Sequence, residues 1–557
     1  MKKIRYAGLV LMGAIVFGSC SKTIQNKQPN PNNPSTVPAA LILGTVLNDM
    51  SGENGSGASG SLGGINSWDL VHQWNQYDCQ NYDYYGNNIY AWTDGSESSG
   101  PFNSYLVLKN VVQMEQAEVT LGGGKAVNPY EAIGRFVRAY YYYNMTSLMG
   151  DVPVTTALQG QADETPKYTS QQQVFTYILS ELDTANSDFA TLITNKDNSL
   201  SSTQDLYYGP GVNPTIASTA QQLLAWQKLV NTFTLRVLIS LSNQASAMNA
   251  GALFATIINN PSTYPIFASQ NDDFQFVYNP GNTNTFSTYP FNPSNFGSIA
   301  ARYNMAYTYV NALTTLNDPR VFNTCEPAWA VVTNVDSPAQ YPYFVGASTG
   351  LALGTMYNNA SAGDYSFINR ARYYSNFTGS PNVLVGYKEM LFNIAEAIER
   401  GWVGGNAETF YKTGINESMK YYGIDTTKTS FAAFFLPPGA NSVSQVAPYP
   451  YTFSFTSWYA QPAVQLSATP ATAIGQIVLQ KYIAGFENSG YESYYNWRRT
   501  GVPAFQSGSG VGNNGVIPVR WAYPVSEQTQ NASNWSAALS NQGFSADDLN
   551  QVMWLLK

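Results

Sequence analysis

The clearest pattern of apolar positions predicts a helix over residues 130–153. Apolar side chains recur there at steps of three and four residues, as one face of an α-helix requires. They are Ile133, Phe136, Val137, Tyr140, Tyr143 and Leu148. Four successive tyrosines cover every side of this helix, which predicts packing on more than one side. Gly150 and Pro153 suit its end, because glycine favours a C-cap and proline cannot continue a helix. The segment therefore predicts a core helix of an all-α domain.

Similar periodicity predicts further helices. They span residues 38–50, 105–121, 169–192, 221–241, 387–402, 407–422, the first part of 474–500, and 549–556. Ser170 and Gln173 have the spacing of a capping box at the start of one of them. Residues 264–379 and 430–470 have only short apolar runs among Pro, Asn, Gly and aromatic residues, which predicts loop-rich excursions. The whole favours a mainly α fold, a tetratricopeptide-like helix-pair bundle with long aromatic-rich excursions, although no strict repeat period is visible.

The first 19 residues have the pattern of a secretory signal peptide. Three basic residues precede a short apolar run at 6–17, followed by Gly18, Ser19 and Cys20. A cysteine directly after small residues resembles a bacterial lipobox, which implies cleavage before Cys20 and its acylation. Phe17 stands where leucine is usual, so an ordinary signal peptide with an incidental cysteine is the alternative.

The segment 20–38 is polar and rich in asparagine and proline, which predicts a lipidated N-terminus and flexible tether. Residues 39–557 would then form the folded domain. The apolar run before the cysteine is shorter than the ~20 residues that a membrane-spanning helix needs. We therefore expect attachment to the membrane through acyl chains at Cys20.

Composition excludes several kinds of partner and catalytic site. The net charge is -8 and only 11% of residues are charged, which disfavours nucleic acid as a partner. His72 is the one histidine, and neither HExxH nor CxxC occurs, so we expect no metal, no cofactor and no histidine-based catalysis. The remaining cysteines, Cys79 and Cys325, favour two unpaired thiols, with a disulfide left open because the protein is exported.

Aromatic residues interspersed with Asn, Gln and Asp suggest a site for a neutral polar ligand. Flat rings cover the apolar faces of sugars, and amides or carboxylates meet the hydroxyl groups. The stretch 67–94 has the highest density of both kinds. The candidates there are Trp68, Trp74, Tyr84, Tyr85 and Trp92, and weaker candidates are Tyr341, Tyr343 and Trp458. The alternative is that these rings belong to the core.

Several segments, in this order along the chain, together resemble the SusD/RagB family of nutrient-binding outer-membrane lipoproteins. They are GRFVRAYYYYNMTSLMGDVP at 134–153, DLYYG at 205–209, DPR at 318–320, EMLFNIAEAIER at 389–400, KYIAGFENSGYESYYNWRRTGVP at 481–503 and RWAYPVSE at 520–527. The resemblance implies the SusD-like fold and a non-enzymatic protein that captures a glycan or a peptide. It also implies delivery of that ligand to a SusC-like TonB-dependent β-barrel transporter.

The sequence leaves alternatives for the side of the membrane that the protein faces and for its class of function. The resemblance favours a protein facing the cell exterior, but acidic residues that follow the lipidated cysteine in some members are missing here. A lipid-anchored glycoside hydrolase would need two spaced carboxylates, for which the sequence offers Asp78, Asp83, Asp94 and Glu97. A helical-repeat adaptor without a small ligand is the other alternative.

Overall fold

The computed structural model describes residues 37–51, 70–82, 84, 86–92, 100–278, 293–297 and 300–557. Its helices, in chain order, are α1 (Ala39–Ser51), α2 (Leu70–Trp74), α3 (Ser104–Leu121), α4 (Pro129–Met149), α5 (Gln171–Thr194), α6 (Thr219–Ser240), α7 (Ala245–Met248), α8 (Ala250–Asn259), α9 (Tyr307–Thr315), α10 (Arg320–Thr324), α11 (Leu353–Ala362), α12 (Arg370–Tyr373), α13 (Tyr387–Glu399), α14 (Ala407–Tyr421), α15 (Phe455–Tyr459), α16 (Pro470–Ala484), α17 (Glu492–Thr500), α18 (Val525–Gln530) and α19 (Ala532–Gln542).

The described strands form two-stranded antiparallel pairs. The pairs are β1 (Asp78–Gln80) with β5 (Tyr303–Met305), β2 (Val152–Pro153) with β3 (Tyr168–Thr169), β4 (Phe274–Phe276) with β6 (Asn382–Val385), and β7 (Ser430–Phe435) with β8 (Ala447–Thr452). The fold is therefore mainly α, as predicted.

Helix α4 lies at the centre of the bundle. All but a few of its side chains are buried, including the four tyrosines, so it packs on more than one side, as the sequence predicted. Asn128 caps its start by accepting a hydrogen bond from the Glu131 backbone N–H at 2.8 Å, and Gly150 follows its end with a φ of 99°. Helices α3, α4, α5 and α6 each pack against the next. Helix α13 packs against α6, α14 and α16, which extends the helix-pair arrangement.

Several local predictions need correction. Ser170 forms no side-chain cap for α5, because its hydroxyl donates to the Gln173 side chain. Asp151 supplies the cap instead, since its Oδ1 accepts from the Gln171 backbone N–H at 2.8 Å. The segment 474–500 divides into α16 and α17, and the predicted closing helix is only a 3-10 turn, Trp554–Leu556.

The two excursions contain more regular structure than predicted. The first holds α9 to α12 with β4 and β5, all too short for an 11–18-residue periodicity window to detect. The second contains the hairpin of β7 and β8, in register from Ser430 opposite Thr452 to Phe435 opposite Ala447. Strand β8 was not predicted because it contains Pro448 and Pro450, and prolines within a run count against a strand.

The hairpin, which we call the ribbon, has one buried and one exposed face. Ala433, Phe435 and Tyr451 point inward and are buried. The outward face is apolar, and its Phe434 side chain lies opposite Pro448 and is 51% exposed. No charged residue occurs between Lys428 and Lys481. Strand β7 also packs against α10 and α12.

Buried ion pairs occur in the core, and the pair of Glu396 with Arg499 joins distant parts of the chain. Glu396 on α13 is completely buried and accepts hydrogen bonds from Arg400 Nε at 2.8 Å and Arg499 Nη2 at 2.9 Å. Burial alone would raise the pKa of Glu396, but the Arg499 and Arg400 guanidinium groups lower it to about 2. In the DPR segment, Asp318 and Arg320 are both buried and pair with each other. The segments 389–400 and 318–320, which carry part of the family resemblance, therefore contribute buried ion pairs to the core.

Two further features of the described residues concern the cysteines and membrane-spanning helices. Cys79 and Cys325 are free and buried, so the prediction of two unpaired thiols is confirmed. Within the described ranges, no helix combines the length and the apolar character needed to cross a membrane.

Candidate functional site

The candidate site is built on the short pairing of β1 with β5. Asp78 lies opposite Met305 and Gln80 opposite Tyr303, which joins two segments far apart in the sequence. The chain after β1 is fixed by side-chain amides. Asn81 Nδ2 donates to Asn304 Oδ1 at 2.6 Å, and Asn88 Oδ1 accepts from the Gln80 backbone N–H at 2.7 Å. The loop that carries the next aromatic residues is therefore anchored at both ends.

Three tyrosines of this region form a surface that we call the tyrosine platform: Tyr82, Tyr84 and Tyr357. The Tyr82 ring centroid lies 6.3 Å from that of Tyr84 and 6.3 Å from that of Tyr357. The rings are tilted by 52° and 57°, so they form a faceted surface and not a closed stack. Tyr84 is 75% exposed and Tyr357 is 38% exposed. Tyr84 and Tyr357 thus offer open aromatic surface on a fixed support.

Polar neighbours support the middle ring of the platform. The Arg302 guanidinium carbon lies 5.0 Å from the centroid of the Tyr82 ring, a cation–π contact. The Tyr303 hydroxyl accepts a hydrogen bond from Gln80 Nε2 at 2.7 Å. Burial raises the pKa of Tyr303 well above its ordinary value, so this phenol stays neutral. The platform therefore combines aromatic faces with hydrogen-bonding groups, as a site for hydroxylated ligands requires.

Tyr84 is the predicted ligand contact that the structure leaves most open. Two other candidates from the same stretch, Trp74 and Trp92, need correction. Trp74 is 3% exposed and packs against Tyr491, Trp92 and Trp521. The Trp92 ring stacks on Trp521 at 5.4 Å. Because both indoles are covered by other rings, they belong to the core and offer no face to a ligand.

The weaker candidates lie elsewhere. Trp458 is also buried, and its indole N–H donates to the Leu316 carbonyl at 2.8 Å, so it too is a core residue. Tyr341 stacks on Phe322 at 4.8 Å, and the Tyr343 hydroxyl lies 2.7 Å from the Thr333 hydroxyl. Both tyrosines are partly exposed, but their described ring and hydroxyl contacts do not join them to the platform.

Trp68, Tyr85 and Cys20 lie outside the described residues, as do the carboxylates of Asp83, Asp94 and Glu97. Of the acidic residues considered for glycoside hydrolysis, the structure describes Asp78, which is buried on β1 and presents no carboxylate to a ligand.

His72 lies in the core, next to the rings of Tyr77 and Phe486. Burial lowers its pKa to about 4, so the imidazole is neutral at physiological pH. Its surroundings are those of a structural residue. Among the described residues, no three or more His, Cys, Asp or Glu side chains gather in a way that could hold a metal ion.

Sequence reasoning missed Tyr357 and Arg302 as parts of this site. Tyr357 lies on α11, within an excursion that was predicted to be a loop. Arg302 directly precedes β5 and reaches the platform only through the pairing of β5 with β1. No local sequence signal marks either residue, because both belong to the site through long-range contacts.

Comparison with known proteins identifies the family. The model of a SusD-like family, described as starch-binding and associating with the outer membrane, matches residues 31–524. No curated protein matches the chain.

Solved structures of SusD homologues are similar in fold to this chain. A SusD homologue from Bacteroides fragilis is 25% identical, with a TM-score of 0.73 and coverage of 94% of this chain and 100% of its own. A second SusD homologue from Bacteroides fragilis is 26% identical, with a TM-score of 0.70 and the same coverage of 94% and 100%.

A chitin-binding SusD homologue from Flavobacterium johnsoniae shares the fold at 19% identity and a TM-score of 0.68, covering 93% of this chain and 98% of its own. The family model and the fold agree over nearly the whole described chain. The protein therefore belongs to the SusD-like family of nutrient-binding proteins that associate with the outer membrane.

Proposed function

We propose that the protein is a non-enzymatic lipoprotein that binds a neutral oligosaccharide on the tyrosine platform and delivers it to a SusC-like TonB-dependent transporter. The observation that carries this proposal is the pair of exposed rings, Tyr84 and Tyr357, whose centroids each lie 6.3 Å from that of the supported Tyr82 ring. Sugar rings have apolar faces bordered by hydroxyl groups, and such faces pack on tyrosine rings. Contiguous exposed apolar surface on a folded domain often marks an interaction site.

Carbohydrate is favoured over peptide by two considerations. The family description names starch, and the Flavobacterium relative is a chitin-binding protein. The site has one described cation, Arg302, whose guanidinium lies on the Tyr82 ring. The other described side chains of the site are uncharged, which suits a ligand that carries hydroxyl groups and no net charge: Tyr82, Tyr84, Tyr357, Gln80 and Asn88.

Membrane attachment in this proposal depends on Cys20, the first residue of the mature chain. Acyl chains there would hold the protein on the outer membrane, and the polar segment 20–38 would act as a tether. We place the folded domain on the exterior side, where a ligand is met before it enters the transporter.

The proposal assigns no catalysis to the platform. Hydrolysis of a glycosidic bond needs two carboxylates on either side of the bond, about 5–9.5 Å apart. Family members are binding proteins, which supports capture without cleavage. Release of reducing sugar from a polysaccharide by the purified protein would overturn this part.

The first experiment measures binding to soluble starch, chitin oligosaccharides, other neutral glycans and a peptide pool by isothermal titration calorimetry. We expect at least one glycan to bind, and the double variant Tyr84→Ala/Tyr357→Ala to lose that binding. Phe377→Ala is the matched control, because Phe377 is also an exposed ring (43%) but lies outside the platform. Equal glycan affinity in the double variant and the wild type would refute the site.

The second experiment tests delivery. The tagged full-length protein is extracted from its native outer membrane in mild detergent, and co-eluting proteins are identified by mass spectrometry. We expect a TonB-dependent barrel in near-equal amount. A different protein partner, together with no glycan binding, would support the helical-repeat adaptor instead.

A further inference from the structure

A cavity separate from the platform lies between helices α5, α6 and α8. Its volume is about 360 Å³, near the lower end of the ~300–1,000 Å³ range of small-molecule sites. Such a space is much larger than the single-water voids of ordinary cores. Its lining comprises Leu179, Ser180, Leu182, Asp183, Asn231, Thr234, Leu253, Thr256, Ile257 and Tyr264. None of these residues belongs to the elements that carry the platform.

The cavity has apolar walls and one aromatic side. Leu182 and Ile257 are buried beneath it, whereas Leu253 on α8 is 38% exposed at its border. Tyr264, in the loop after α8, adds a partly exposed ring. A ligand with a flat C–H face would bury apolar surface here.

Its polar groups are mostly acceptors. Asn231 is 2% exposed, and its Nδ2 donates to Asn186 Oδ1 at 3.0 Å and to the Pro265 carbonyl at 2.9 Å. Both amide hydrogens are thus used, which leaves the Asn231 Oδ1 atom to accept. The Thr234 and Thr256 hydroxyls each donate to the carbonyl four residues earlier, at 2.8 Å and 2.9 Å. Their oxygens are therefore also left to accept.

The lining also contains Asp183 and Tyr264, and the Asp183 carboxylate adds further acceptor atoms. Burial and the neighbouring Asp183 carboxylate raise the pKa of Tyr264, and this carboxylate has capacity for donors. Acceptors that converge on a cavity favour a ligand rich in donors. No lysine or arginine is among the lining residues, which disfavours an anion, and Asp183 is the single carboxylate among them.

We propose that this cavity is a second ligand site, which takes one neutral sugar ring: a free monosaccharide or the end of a glycan chain. The ring would place its C–H face against Leu253 and Tyr264 and donate hydroxyl hydrogens to Asn231, Asp183 and the threonines. The inference rests on the proposed function for the assignment of the ligand to carbohydrates. Its position adds a contact point separate from the platform.

The test uses the full chain in detergent, titrated with D-glucose, D-galactose, D-mannose, D-xylose and N-acetylglucosamine, and with butylamine as a cationic probe. Binding is followed by saturation-transfer NMR and calorimetry. Leu253→Trp fills the cavity from its exposed border, and Leu106→Trp is the matched control on α3, where Leu106 is 48% exposed and does not line the cavity. Asp183→Asn keeps the size of the side chain and removes its charge.

We expect at least one monosaccharide to bind, with Kd raised tenfold or more by Leu253→Trp and unchanged by Leu106→Trp. Thermal unfolding of both variants checks that they are folded. Sugar binding that Leu253→Trp leaves unchanged would overturn the inference. So would the absence of any monosaccharide binding, or binding of butylamine alone with loss in Asp183→Asn.

The two sites can fail independently. Monosaccharide binding that survives Tyr84→Ala/Tyr357→Ala would support the cavity even if the platform bound no oligosaccharide. Oligosaccharide binding that depends on the platform, without any monosaccharide effect of Leu253→Trp, would support the proposed function and reject the cavity.

Discussion

Replacing Glu396 with glutamine tests whether its ion pairs with Arg400 and Arg499 stabilise the fold. The side chain is completely buried, so the variant leaves two guanidinium groups without their carboxylate. The pKa of Glu396 is about 2 in the folded chain, against the ordinary glutamate value of 4.5. At ~1.36 kcal/mol per pKa unit, that difference corresponds to roughly 3 kcal/mol of stability at neutral pH. Breaking a buried pair by removing one partner costs roughly 3–5 kcal/mol, which agrees.

The pH dependence identifies the cause. A carboxyl group with a lowered folded-state pKa stabilises above its unfolded pKa, and that stability is lost as the pH falls through the folded pKa. We therefore expect Glu396→Gln to lose roughly 3 kcal/mol at pH 7 and roughly 1 kcal/mol at pH 3, relative to wild type at the same pH. Urea unfolding followed by tryptophan fluorescence measures both values.

The control is Asp425→Asn, which removes an exposed carboxylate paired with Lys428 and should leave the unfolding midpoint unchanged. A loss below about 1 kcal/mol at pH 7 would refute the reasoning, because it would lie well under the cost of an unpaired buried charge. A loss that is the same at both pH values would assign the effect to packing and not to charge.

Three further predictions address binding, packing and anchoring. Tyr84→Ala should raise the glycan Kd about tenfold in titration calorimetry, since a sugar covering ~60 Å² of the ring contributes about 1.5 kcal/mol; equal Kd values in variant and wild type would contradict it. Trp74→Ala should lower the free energy of unfolding by about 3–5 kcal/mol in urea titrations, because it empties a core position, and a surface-like loss under 1 kcal/mol would be inconsistent with its burial. Cys20→Ser should move the protein from the membrane fraction to the soluble fraction on immunoblots, and unchanged membrane attachment would rule out the lipid anchor.

The sequence was sufficient for the long helices. Helix α4 has enough turns for its apolar face to repeat several times, so its extent could be predicted to within a few residues. The cap of α5 could not be predicted, because Asp151 lies 20 residues before Gln171 and reaches it only through the turn between the helices. The ribbon was missed because its two prolines resemble loop residues.

The candidate site was harder to predict than the fold. Trp74 and Tyr84 lie in one aromatic-rich stretch with only patchy periodicity, so nothing local separates the buried ring from the exposed one. The platform also needs Tyr357, which comes close to Tyr82 only after β1 pairs with β5 and α11 forms. The residue types indicated a candidate site with aromatic and polar side chains. Long-range packing determined which of these side chains are exposed.

The ribbon has a consequence for how the protein avoids self-association. A two-stranded sheet has two outer edges with unused hydrogen-bonding groups, and uncharged apolar edges invite strand addition by another molecule. Proline lacks a backbone N–H, so Pro448 and Pro450 remove donors from β8, while α10 and α12 pack against β7. The two prolines of β8 thus take the place of the lysines that often occur on such edges. We expect this segment to resist amyloid-like stacking despite its 51% exposed Phe434.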